Sequence, residues 1–102
     1  MPAPCDREWV VKRHAARAWV AAQAGDHPSA IQEGRAAVAT AEATGLMLVR
    51  GDAHRMLAEV LRTAGRTEEA AAAAGRALAL QERKANVAAA ARTRRLLASL
   101  GA

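Results

Sequence analysis

The sequence predicts an all-α fold of about five helices, and three observations carry that expectation. Alanine supplies thirty of the 102 residues, while Phe and Tyr are absent and Trp occurs twice. Alanine adds little apolar area to a core, so it stabilises a fold only where backbones approach closely, and it is the best helix former. Glycine punctuates the chain at Gly25, Gly45 and Gly65, each just past a run with helical apolar spacing, where a helix C-terminus favours it. The aromatic and β-branched residues that strands favour are scarce.

Each helix has its own signals. Residues 1–5 form a poor helix, and Asp6 is placed to cap a first helix running to about Ala24. Gly25 and Asp26 break it, and Pro28 suits the first turn of the next, which runs to about Thr44 and stops at Gly45. A third helix spans roughly Leu46 to Ala64, with Val49, Ala53, Met56, Leu57, Val60 and Leu61 on one stripe, and ends at Gly65. Thr67 is placed to cap a fourth helix, with Glu68 and Glu69 in its first turn and Arg83 and Lys84 in its last, as the helix dipole favours. Asn86 caps a fifth from Val87 to about Leu100. Connections this short make neighbouring helices antiparallel.

Sliding the chain against itself by 40 residues sets His14 over His54, Ala18 over Ala58, Val20 over Val60 and Ala24-Gly25 over Ala64-Gly65. The same shift sets Ala30 over Ala70, Ala37 over Ala77 and Glu42 over Glu82, and carries Leu57 to Leu97 and Ala58 to Ala98. The chain therefore reads as a single domain of two helical pairs, residues 6–44 and 46–84, with a final unpaired helix over 86–100 covering the end. One pair cannot bury its apolar face alone, so repeats of this kind stack.

The segment around Leu57-Ala58, Gly65, Ala70 and Ala77-Leu78 resembles the tetratricopeptide repeat, and residues 51–84 carry the likeness best. The 40-residue spacing exceeds the usual repeat of about 34 and implies extended helices. It resembles the variants found in multidomain bacterial signalling and regulatory proteins, as does the stretch from Arg66 to Leu97. The resemblance implies a right-handed α-α superhelix of antiparallel hairpins, two and a half repeats long, whose first helices line a concave face. It places Lys12, Ala15, Trp19, Ala22 and Gln23 on that face in the first repeat. It places Asp52, Arg55, Glu59, Arg62 and Thr63 there in the second, and Arg92, Arg95 and Ser99 in the last helix. Arg55, Arg62, Arg92 and Arg95 then form a basic stripe, and guanidinium groups read carboxylates with two-pronged geometry. Trp19 is an aromatic anchor or a core residue, and Trp9 a core residue or an end cap.

Composition and motifs narrow the function classes. Fifteen basic residues against ten acidic give a net charge of +5, which suits a solvated surface or an acidic partner. His14 and His54 share a repeat position, which packing between helices explains; His27 begins a helix at the surface. No Cys/His spacing suits zinc, no glycine-rich phosphate loop follows a strand, and nothing sets a nucleophile beside a base. Neither a catalytic residue, a metal ligand nor a cofactor is expected, so the chain reads as a non-enzyme. The lone Cys5 gives no disulfide framework, no signal-peptide pattern is present, and no apolar run spans a bilayer, so a cytoplasmic protein is expected. The leading function is a protein-interaction module within a larger regulator, binding a peptide or protein. A self-assembling homodimer is the alternative, and nucleic-acid binding through the arginine-rich face is a weaker third.

Overall fold

Five α-helices account for the described residues of the computed structural model, which are 4–100, with side chains from residue 8 onward. They are α1 (Pro4–Gln23), α2 (His27–Thr44), α3 (Met47–Thr63), α4 (Thr67–Arg83) and α5 (Val87–Ser99), and no strand occurs among these residues. The chain is all-α, with each helix packed on its successor and α1 also touching α3.

Three of the four connections share one device. The sixth-to-first backbone bonds Asp26 N–H to Ala21 O, Arg66 N–H to Leu61 O and Asn86 N–H to Gln81 O are each 2.9 Å. This bond closes a helix when the residue before the donor turns left-handed. Gly25 and Gly65 do so at φ +80° and +81°, while at the third turn Ala85 does so at φ +54°. The next helix then starts at once: Asp26 and Asn86 each accept a backbone N–H, from Ser29 and Ala89, at 3.3 Å.

Two helix starts differ from the sequence expectation. α1 begins at Pro4, so Asp6 lies inside the helix rather than before it; a proline at the first position has its φ preset and forfeits no intrahelical bond. Cys5 falls in the same turn, and its side chain is outside the described residues. At α4 the capping position is Arg66, not Thr67. The Arg66 N–H is committed to the preceding turn while its carbonyl already accepts the first helical bond, from Ala70 at 2.9 Å.

The core is built from alanine. Ala18, Ala30, Ala37, Ala41, Ala58, Ala70, Ala74 and Ala77 are wholly buried, and Ile31, Leu57, Val60, Leu61 and Leu96 fill the space between them. Close approach goes furthest at Gly34 in α2, where a Cβ would lie 3.0 Å from Leu57 Cδ1. The molecule measures 44 × 33 × 17 Å, so it is a thin slab, and small side chains let its helices lie close enough to exclude water.

The 40-residue register recurs in the polar contacts. His54 Nε2 donates to Glu42 Oε1 at 2.6 Å across the α2–α3 junction, and Arg94 pairs with Glu82 across α4–α5. The same junctions set Ala41 beside Ala53 in one core cluster, and at the equivalent place Thr93 Oγ1 donates to Gln81 Oε1 at 2.6 Å, both side chains buried.

Candidate functional site

Residues of α3 and α5, far apart in sequence, line one open depression of about 380 Å³: Arg55, Glu59, Arg62, Arg92, Arg95, Leu96 and Ser99. Helical spacing puts them there. Arg55, Glu59 and Arg62 fall at i, i+4 and i+7 on α3, and Arg92, Arg95, Leu96 and Ser99 cover the same arc of α5. Six of the thirteen positions expected on the concave face are thus brought together: Arg55, Glu59, Arg62, Arg92, Arg95 and Ser99.

The charges are unequally committed. Arg55 Nη1 donates to Glu59 Oε2 at 3.1 Å, both side chains partly buried. The buried Nε of Arg55 has no hydrogen-bond partner. Arg62, Arg92 and Arg95 are exposed and form no ion pair among the described residues. Four guanidiniums against one carboxylate leave this depression with a formal charge of +3.

A second depression, about 110 Å³, lies between α1 and α3 and holds Lys12, Ala15, Asp52 and Met56 with Glu8, Val11, Val49 and Ala53. The 40-residue shift maps one lining on the other: Ala15 to Arg55, Asp52 to Arg92, Met56 to Leu96. The apolar floor is kept while the charge inverts, for Glu8 and Asp52 outweigh Lys12. Sequence reading missed these floor residues, although the repeat register holds the signal for them.

Other expected positions sit elsewhere. Ala22 is buried in the core cluster and presents nothing to a partner; its α3 equivalent, Arg62, is exposed. Trp19 is 51% exposed and Trp9 66%, so neither is a core residue. Gln23 and Thr63 are exposed at helix ends and line neither depression.

A larger depression, about 530 Å³, is lined by His27, Pro28, Ile31, Gln32, Arg35, Ala64 and Arg66. Its cations are already engaged, since Glu69 accepts from Arg35 Nη2 at 2.9 Å and from Arg66 Nη1 at 3.2 Å. Two of the three histidines are likewise engaged: His14 Nδ1 lies 2.6 Å from Glu33 Oε2, and His54 serves Glu42, while the buried Nδ1 of His27 has no hydrogen-bond partner. The hydrogen bond from His54, with help from the Arg50 guanidinium 2.7 Å away, holds the Glu42 carboxyl below its ordinary value. No group of three or more His, Cys, Asp or Glu among the described residues could hold a metal ion, and no described helix is long and apolar enough to cross a membrane.

The chain matches no family model, no curated protein and no solved structure. Its function is therefore argued from its own residues.

Proposed function

We propose that the chain is a non-catalytic protein-interaction module of the tetratricopeptide kind, part of a larger regulator, that takes a peptide or protein on the concave face of a right-handed stack of helical hairpins. The reading rests on one observation: Arg55, Glu59 and Arg62 of α3 share a single depression with Arg92, Arg95 and Ser99 of α5. A surface made of equivalent positions from successive repeats is what a stacked helical array presents to a partner. Arginine suits such a surface because its planar fork is pre-organised and weakly hydrated.

The face can be tested by capture of partner proteins on the immobilised chain. Arg55→Glu with Arg95→Glu is expected to abolish capture while the helical circular dichroism and melting temperature stay near those of the parent. Undiminished capture by the folded double variant would remove this face from the function.

A second reading, self-assembly, is favoured by Trp9 and Val20, which lie on one face of α1 and are 66% and 68% exposed. Sedimentation equilibrium over a wide dilution range separates the two: a concentration-independent dimer of the 10.7 kDa chain supports self-assembly, and a monomer leaves the arginine face as the site of partner contact.

A further inference from the structure

We infer that the α3–α5 depression is a receptor for a phosphomonoester dianion carried on a peptide. The inference rests on the proposed partner-binding role of this face and names the chemistry it selects.

Three features point to phosphate rather than carboxylate. The first is direction. Arg55 and Arg62 reach in from α3, and Arg92 and Arg95 from α5, so the donors stand on two walls. A carboxylate is planar and accepts a fork along one edge, whereas a phosphomonoester has three terminal oxygens in a tetrahedral array and accepts from both walls at once. The second is charge. Three of the four guanidiniums have no ion pair among the described residues, and the local charge is +3. A single carboxylate offsets one unit of this; a phosphomonoester near neutral pH offsets close to two. The third is an orphan donor. Arg55 spends Nη1 on Glu59 while its buried Nε bonds to nothing; an unpartnered buried donor is costly, so Arg55 gains by turning toward an incoming anion, and three terminal phosphate oxygens offer it more acceptors than the two of a carboxylate.

A nucleic-acid backbone suits the surface less well. Single-strand sites combine a continuous basic track with aromatic platforms. Here no aromatic residue lines the depression, and the neighbouring α1–α3 depression carries Glu8 and Asp52.

Glu59 gives the inference an unusual handle, because it both repels an anion and occupies Arg55. Glu59→Gln should therefore tighten phosphate binding, a gain that no loss of structure can imitate.

Fluorescence anisotropy on the whole chain tests this with a short labelled peptide carrying one phosphoserine and no other charge. Its companions carry Glu or unmodified Ser at that position, and a single-stranded oligonucleotide is the fourth probe. The phosphoserine peptide is expected to bind about tenfold or more tightly than the Glu peptide, as multiple charge-assisted forks require. The preference should vanish in Arg62→Gln with Arg95→Gln, shrink in the matching Arg→Lys pair, and grow in Glu59→Gln. Equal binding of the Glu and phosphoserine peptides through these same arginines would overturn the phosphate inference and leave the partner-binding face standing. Absent phosphopeptide binding, a preference that survives the Arg→Gln pair, or tighter binding of the oligonucleotide would each overturn it as well. Failure of the partner-binding role itself shows separately, as capture that persists in the Arg55→Glu, Arg95→Glu variant.

Discussion

Ala85 occupies a backbone position that its side chain resists. Its φ of +54° lies in the left-handed region, where a Cβ meets the following carbonyl at a cost of about 1–2 kcal/mol. Gly25 and Gly65 close their helices with the same bond and carry no Cβ, and Gly45 stands forty residues before Ala85. Ala85→Gly is therefore expected to stabilise the chain by about 1 kcal/mol, because strain relief outweighs the added freedom of the unfolded glycine. Gly65→Ala should cost a similar amount, and thermal melts of the two variants check the signs. The glycine turns were legible in the sequence, because a glycine after a helical run has one common use. The Ala85 turn was not, since alanine gives no sign that it will be forced left-handed; only the cap at Asn86 and the repeat register marked the place.

At the scale of the helix junction, two buried or part-buried polar contacts tie consecutive helices together, α2 to α3 and α4 to α5. Gln81 and Thr93 pair where the preceding junction sets Ala41 and Ala53. Thr93→Val strands Gln81 Oε1 in the core and should cost about 1–3 kcal/mol. Gln81→Leu leaves the Thr93 hydroxyl its bond to Ala89 O at 3.1 Å and removes an Nε2 already without a partner, so it should cost less, and the double variant should cost less than the two singles summed. A double-mutant cycle by urea melts measures that coupling. The Glu42 contact works through protonation. Its carboxyl is held below the ordinary value near 4.5 by the His54 hydrogen bond and the Arg50 charge, so folding favours the ionised form. That contribution is present above the unfolded-state value and is lost as pH falls through the lower folded-state one. Acid titration should show the parent losing stability in this window, and Glu42→Gln should flatten the slope there by a modest amount, since Glu42 is partly exposed and solvent screens it. Helix bounds were largely readable from capping residues, but Asp6 and Thr67 were misplaced as caps. A capping side chain is a local signal, and Pro4 and the Arg66 turn settled those ends by backbone geometry instead.

Over the whole molecule, the thin slab explains why so few large residues suffice. Alanine faces at matched positions let helices close up without interlocking side chains, so the fold depends on register more than on volume. That register was visible in the sequence, and with it most of the α3–α5 lining. The sequence did not reveal which arginines were free. Arg35, Arg66 and Arg94 are exposed like Arg62, Arg92 and Arg95, Arg50 is half-buried, and the folded chain sets a glutamate beside each of Arg35, Arg50, Arg66 and Arg94. Nor did spacing decide Trp19, which shares an arc of α1 with both solvent-facing and groove-facing neighbours.

The most direct test of the proposed role is partner capture by two charge-matched variants, with folding checked by circular dichroism. One is Arg55→Glu with Arg95→Glu in the α3–α5 depression; the other is Arg76→Glu with Arg83→Glu, exposed on α4 and outside it. Both change the net charge equally. Loss of capture in the first and retention in the second is the predicted result. Equal capture by both folded variants, whether retained or lost, would contradict the claim that this depression is where the chain meets its partner.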